Sequence, residues 1–236
     1  MAGTVSHFGG RYSNEVSASC LSYLFADRFI RRISWFGRAM AEAAVVTPTT
    51  GTLVKVANVE RQCLATALWS LEHQGLIAIY LKKAHASNLL GRIGEDELLL
   101  ERVGEAKHLV GIEAMLLAAF PTQPVEAMQL YVRAVEVETA DALLCLLQDE
   151  AVAANVLSVS DRNGDRVSPS LRWWSRSRRE IREEARGLLE TQFRAAQGLG
   201  LFGTDQPGLF SKLKRQCGHA AWNLRSPASS PSVGGA

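Results

Sequence analysis

Two segments of this chain, about 76 residues apart, repeat the same order of apolar and polar positions, and this repeat restricts the fold more than any other feature. The matched pairs are Val59 and Val135, Leu68 and Leu144, Leu71 and Leu147, and Leu76 and Val152. In both copies a run with helical spacing is followed by a break and then by an apolar extended stretch. The sequence therefore predicts two copies of a small unit in which a helix leads into a β-hairpin.

The second copy shows this order most completely. Three helices are predicted before its hairpin, over 112–120, 125–135 and 140–153. Extended runs at 156–160 and 166–168 then flank Asn163-Gly164, a dipeptide typical of tight hairpin turns. The second unit is thus expected to run helix, helix, helix, hairpin.

The first copy has a shorter version of this order. Asn58 is expected to cap a helix that extends to about His73, and Gly75 suits the left-handed residue after the helix end. Strands are expected over 76–81 and 97–103. A short β-branched stretch before the helix, at 52–56, is also expected to be extended.

This order resembles the winged-helix branch of the helix-turn-helix superfamily over two stretches, 52–103 and 112–168. The resemblance implies a mostly α-helical protein with small β-hairpins, built from tandem winged-helix-like units plus a long N-terminal and a long C-terminal helix. Such modules often bind DNA and often serve as assembly surfaces. Fold similarity by itself does not choose between these roles.

The segments outside the repeat complete the predicted organisation. Apolar residues at helical spacing from Glu15 to about Val46 predict one long helix, or two helices broken near Gly37. A long charged helix is expected from about Trp174 to Gln197. The predicted divisions are a flexible lead-in at 1–12, a first unit at 13–105, a second unit with the C-terminal helix at 106–200, and a flexible tail at 201–236.

No sequence pattern indicates an enzyme. The metalloprotease, phosphate-loop, serine-hydrolase and dinucleotide-binding motifs are absent, and the four cysteines are widely spaced. Asp161, Asn163 and Asp165 resemble the start of a calcium loop, but Arg166 and Arg172 stand where glycine and glutamate are needed. We therefore predict a non-enzymatic protein with no cofactor, no metal and no small-molecule substrate. Without a signal peptide or an apolar run of spanning length, an intracellular protein is expected, cytoplasmic or in the nucleoid or nucleus.

The net charge of +2 argues neither for nor against a nucleic-acid partner. Local groups of basic residues are therefore the evidence that points to DNA. In the first unit Arg61, Gln62 and Thr66, together with Ser70, are expected to face outward on a recognition helix. Further predicted contacts lie in the two wings and the segment after them: Lys82, Lys83, Arg92, Arg162, Arg166, Arg172, Arg176, Arg178 and Arg179. Lysine and arginine at these places would reach backbone phosphates. The alternative interpretation is a solvated helix face, in which pairs such as Arg179–Glu183 cancel the charge.

Other partners remain open on the sequence alone. The third helix of the second unit carries four acidic residues, Glu138, Asp141, Asp149 and Glu150, which phosphates would repel. That face favours a structural or interaction subunit of a larger complex, with a protein partner or a homo-oligomer. A weaker alternative is association with a membrane surface through the basic and aromatic N-terminal helix or through 209–215. Such helices more often form part of a core.

Overall fold

The computed structural model describes residues 15–33, 44–82, 97–106, 109–134, 142–160 and 178–223. This part of the chain is mostly helical with small two-stranded antiparallel sheets, as predicted. The elements are α1 Ala18–Leu24, β1 Ala44–Val46, β2 Leu53–Lys55, α2 Val56–His73, β3 Ile77–Lys82, β4 Glu97–Arg102, α3 Gly111–Ala119, α4 Ala127–Ala134, α5 Ala142–Ala153, β5 Leu157–Ser160, β6 Arg178–Ile181, α6 Glu183–Gly198 and α7 Pro207–Asn223. The pairs are β1 with β2, β3 with β4, and β5 with β6.

Helix α2 lies at the centre of the molecule. Thirteen of its 18 residues are buried, and α1, α3 and α7 pack around it. The helix begins at Val56, directly after β2, with Lys55 as the N-cap residue instead of the expected Asn58. Trp69, fully buried, donates its indole N–H to the carbonyl of Gly200 at 3.1 Å. This bond joins α2 to the turn between α6 and α7.

The two copies of the repeat share one backbone arrangement at the end of their helices. The N–H of Leu76 bonds to the carbonyl of Leu71 after α2, and the N–H of Val156 bonds to the carbonyl of Ala151 after α5, both at 3.0 Å. The carbonyls of Leu76 and Val156 in turn accept N–H groups from the far end of the paired strand, those of Val103 and Arg182. Each strand therefore leaves its helix in the same way.

Equivalent positions in the two copies are 80 residues apart, from Leu76 to Val156, and the expected offset of about 76 is wrong. The left-handed residue is Gly75 in one copy, with φ of 68°, and Asn155 in the other, with φ of 61°. Asparagine tolerates this conformation better than most residues. The error arose because a shift of four residues is about one helical turn, so the apolar pattern of a helix matches itself at both offsets.

The strand that pairs with β5 differs from the prediction. Its partner is β6, with Ser160 opposite Arg178, and residues 166–168 lie outside the described residues together with Asn163-Gly164. The long C-terminal helix is therefore shorter than expected, because 178–181 is a strand and α6 begins at Glu183.

The expected long N-terminal helix is also wrong for the part that the structure describes. Helix α1 ends at Leu24 and is followed by a 3-10 turn at Ala26–Arg28. The hydroxyl of Thr49, in the β1–β2 turn, donates to the carbonyl of Leu24 at 2.7 Å. An α-helix would use that carbonyl for the N–H of Arg28, which instead bonds to Phe25. Residues 44–46 form β1 instead of helix.

Both copies contribute to one hydrophobic core. The core also includes α7, whose Phe210, Leu213 and Cys217 are buried. The assignment of 201–236 to a flexible tail is therefore wrong for 207–223. The N-terminal Phe25 packs inward as well, since its ring centroid lies 4.5 Å from that of Phe193.

Candidate nucleic-acid interface

Helix α7 carries three basic residues and no acidic residue. Its apolar side is used in the core, while Lys212 and Arg215 are exposed on the opposite side and Lys214 is half-buried between the two. Residues three or four positions apart are neighbours on a helix surface. Lys212 and Arg215 are therefore adjacent and give the outer side of α7 two neighbouring positive charges.

A fourth basic residue joins this side from α2. The guanidinium group of Arg61 lies on the backbone of Gly218: a methyl group added there would be 2.7 Å from Cζ and 2.8 Å from Nη2 of Arg61. Lys214 and Arg215 precede Gly218 by four and three residues, so on the helix surface they lie on either side of the position that Arg61 contacts. We call Arg61, Lys212, Lys214 and Arg215 the basic surface.

The inner two members of the basic surface affect each other. Burial lowers the pKa of Lys214, and the nearby charge of Arg61 lowers it further, while the Cys63 thiol acts in the opposite direction. Arg61 Nε is shielded from solvent, and none of the residues that the structure describes forms a hydrogen bond with it. A positive pair of this kind is electrostatically unfavourable unless an anion lies beside it.

The polar residues expected to face outward on α2 are buried, and that expectation is wrong. Gln62 is 2% exposed and Thr66 is 0% exposed, and Ser70 is buried as well. The hydroxyls of Thr66 and Ser22 are 2.9 Å apart, and Gln62 Nε2 donates to Thr66 Oγ1 at 3.3 Å. These side chains satisfy one another between α1 and α2 and cannot reach base edges.

The other predicted contacts do not converge on Arg61. Lys82 is exposed at the end of β3, but Glu97 lies directly across the hairpin and offsets its charge. Arg178 and Arg179 lie in strand β6, and their side chains are outside the described part of the chain. The remaining residues fall outside the described ranges: Lys83, Arg92, Arg162, Arg166, Arg172 and Arg176.

A second group of buried ionisable residues, which sequence reasoning missed, links α1 to α3 and α5. The backbone N–H of Ser17 donates to Glu150 Oε1 at 2.6 Å, and that of Ser19 donates to Glu113 Oε1 at 3.2 Å. The hydroxyl of Ser17 also caps α1 by accepting the N–H of Cys20 at 3.1 Å. We call Ser17, Ser19, Glu113 and Glu150 the carboxylate cluster.

The carboxylate cluster has a place for one shared proton. Three oxygen contacts run from Glu113 through Ser19 and Ser17 to Glu150, at 2.9, 2.9 and 3.1 Å. The two hydroxyls supply two hydrogens, so all three contacts are hydrogen bonds only when one carboxyl group is protonated. Burial, assisted by the charge of Glu150, raises the pKa of Glu113 to about 7, which favours a proton on Glu113 below that pH.

His73 forms a smaller polar link at the end of α2. Its Nε2 is 3.2 Å from Asp205 Oδ2, and its Nδ1 is 3.1 Å from the carbonyl of Trp69 and 3.2 Å from Glu72 Oε2. These contacts fix the turn before α7. Within the described ranges, no group of three or more His, Cys, Asp and Glu residues is arranged to hold a metal ion, and all four cysteines are free thiols.

None of the described helices combines the length and the apolar character that a membrane crossing requires. Comparison with known proteins finds no protein-family model, no curated protein and no solved structure that matches this chain. The functional interpretation therefore depends on the geometry of the basic surface and of the carboxylate cluster.

Proposed function

We propose that this chain is a non-enzymatic regulatory or adaptor protein that binds DNA through the phosphates that meet its basic surface. The observation that carries the proposal is α7, a 17-residue helix with three basic residues, no acidic residue and a neighbouring arginine from α2. Lysine and arginine that neutralise phosphates supply most of the affinity in sequence-independent DNA binding.

The mode of binding follows from what is accessible. A recognition helix reads bases only if its polar side chains enter the major groove. Gln62 and Thr66 are enclosed, so α2 does not serve this purpose. The basic surface instead offers charges that position a protein on a duplex without reading its sequence. We therefore expect affinity that depends strongly on salt and weakly on DNA sequence.

The repeated helix-to-strand arrangement supports a winged-helix-like origin for both units. In each unit the helix ends in a left-handed residue and the next residue closes the hairpin by accepting an N–H from the returning strand. The second unit has the order α3, α4, α5, β5, β6. We propose that the chain contains a tandem duplication in which α2 and α5 correspond, with α2 enclosed by the helices that follow.

The proposal is tested by titrating a labelled duplex and following fluorescence anisotropy over a range of salt concentrations. We expect binding at low salt that Lys212→Ala/Arg215→Ala weakens about tenfold or more, because two phosphate contacts are lost. Arg186→Ala/Arg194→Ala is the matched control, since these arginines on α6 are already paired with Glu183 and Glu190. Absence of binding at low salt, or equal loss in both double variants, would refute DNA binding by this surface.

A second candidate function is a structural subunit that binds another protein. It is favoured by the outer side of α5, where Leu146 and Val152 are each 37% exposed on either side of the exposed Asp149. Light scattering after size-exclusion chromatography provides the test. A self-associating chain that becomes monomeric after Leu146→Ser would support this function, and a wild-type monomer that also fails to capture a partner from native extract would argue against it.

A further inference from the structure

Arg61 and Lys214 form a distinct site within the basic surface. The Arg61 side chain crosses from α2 onto Gly218, where the absence of a side chain allows the guanidinium group to lie on the helix backbone. Lys214 is one helical turn before Gly218, on the same side of α7. The two residues therefore lie where α2 meets α7, close enough for the charge of Arg61 to lower the pKa of Lys214.

Neither positive group has a carboxylate partner in the part of the chain that the structure describes. Among the described residues, no carboxylate lies within ion-pair distance of Arg61 or Lys214. Arg28, by contrast, has partners: it makes two hydrogen bonds to Glu190, at 3.2 and 2.7 Å, and lies over two phenylalanine rings. The inner pair keeps two like charges together, one with a shielded Nε that has no partner.

We infer that Arg61 and Lys214 together bind a single phosphate group of a DNA backbone. This inference rests on the proposed function and makes it more specific. An oxyanion placed between the two groups accepts hydrogen bonds from both side chains and removes the repulsion between the two cations. The planar guanidinium group suits two oxygens of one phosphate, while the ammonium group adds a point charge.

The rest of the basic surface indicates a polyanion instead of an isolated anion. Lys212 and Arg215 are exposed and continue the positive charge away from the inner pair along α7. A group of cations around one helix can meet several of the closely spaced charges of a nucleic-acid backbone. The inner pair then fixes the position of one phosphate, and the outer residues attract its neighbours.

The experiment measures duplex affinity at several salt concentrations for the wild type and for Arg61→Gln, Lys214→Met and Gly218→Ala. We expect each variant to bind about tenfold more weakly, because a charge-assisted hydrogen bond is lost or displaced. The slope of log affinity against log salt should fall by about one in Arg61→Gln and in Lys214→Met. Gly218→Ala keeps every charge, but its methyl group pushes the Arg61 guanidinium out of the site. Gly187→Ala on α6, where a methyl group enters open space, is the control and should bind as the wild type does.

The outcomes separate this inference from the proposed function. If Lys212→Ala/Arg215→Ala weakens binding but all three inner variants retain wild-type affinity and slope, the phosphate site is wrong and DNA binding stands. If the wild type does not bind duplex, both are wrong. Flotation with vesicles that contain anionic lipid is run in parallel, and binding to vesicles without binding to duplex would assign the site to lipid phosphate and also overturn both. Gly218→Ala preserves both charged side chains, so it remains informative if Arg61→Gln fails to fold.

Discussion

The carboxylate cluster and the inner basic pair both place like charges in a partly or fully buried environment, but only the first satisfies them internally. Glu113 and Glu150 form hydrogen bonds with backbone N–H and hydroxyl groups at the N-terminal end of α1, and protonation of one carboxyl group removes one of the two charges. Arg61 and Lys214 receive no such compensation among the described residues. A satisfied cluster holds elements together, whereas an uncompensated pair costs free energy that a bound partner can return.

The comparison predicts opposite results when the charges are removed. Substitutions in the carboxylate cluster should lower the free energy of unfolding, because they break bonds between α1, α3 and α5. Substitutions in the inner basic pair should leave the free energy of unfolding unchanged or raise it, while they weaken binding of DNA.

The largest expected effect is that of Glu113→Ala. It removes the hydrogen-bond partner of both the N–H and the hydroxyl of Ser19 and leaves a small cavity among α1, α3 and α5, so we expect a loss of about 3 to 5 kcal/mol in the free energy of unfolding. At a pH below about 4.5, where Glu113 is protonated, Glu113→Gln keeps the shape, mimics the protonated acid and should lose about 1 kcal/mol. Urea denaturation measures both, and an equal loss in the two variants would contradict the shared-proton arrangement.

The next effect is a dependence of stability on pH. The pKa of Glu113 is raised from 4.5 in the reference state to about 7 in the fold, so the folded protein binds more protons between these values. The contribution of Glu113 to the free energy of unfolding therefore falls by up to about 3 kcal/mol as the pH rises from about 4.5 to about 7. Above that pH it does not change further. Urea denaturation at a series of pH values should show this slope in the wild type and a much flatter profile in Glu113→Gln. Identical profiles would show that Glu113 does not carry the proton.

Ser17→Ala should have a smaller effect. The serine hydroxyl caps α1 and connects Ser19 to Glu150, so its removal should cost about 1 to 2 kcal/mol. Ser211→Ala, an exposed serine on α7, is the control and should change stability by less than about 0.5 kcal/mol. Thermal unfolding followed by circular dichroism compares the two variants. If they unfold at the same temperature, the link between α1 and α5 contributes little.

The smallest expected effect is that of Lys214→Met on stability. The methionine side chain retains much of the apolar stem but removes the charge beside Arg61. Because Lys214 is only partly buried, solvent screening reduces the gain, and we expect stabilisation of about 0.5 kcal/mol. Thermal unfolding at low salt is the measurement, and a clear loss of stability would mean that the ammonium group has a stabilising partner.

The sequence predicted the local elements of the repeat better than its alignment. The spacing of apolar residues predicted α2 and β3, and Gly75 predicted the turn between them. The offset between the copies was wrong by one helical turn because helical periodicity cannot distinguish positions four residues apart. The residue that fixes the alignment is the left-handed residue after each helix. In the second copy it is Asn155, which is less conspicuous in a sequence than glycine.

The site was harder to predict because burial depends on tertiary packing. Gln62 and Thr66 have polar side chains, which predicted an outer face, but they lie between α1 and α2 and bond to each other there. Arg61 was predicted to bind DNA, yet its neighbour Lys214 lies in a segment that resembled a tail after several glycines. A long-range contact brings them together, and no local pattern encodes it.

Glu113 shows what kind of signal was overlooked. It is the single acidic residue of α3, a helix that is otherwise small or apolar. Buried carboxyl groups are rare unless they are hydrogen-bonded. A lone glutamate in an apolar helix therefore predicts an internal partner, although the sequence does not identify that partner as the N-terminus of α1.

The most direct test of the difference between the two clusters is to measure the free energy of unfolding and the duplex affinity on the same preparation of Lys214→Met. We expect equal or slightly higher stability together with about tenfold weaker binding and a lower salt dependence. Lower stability with unchanged affinity would contradict the assignment of the inner basic pair to a bound phosphate.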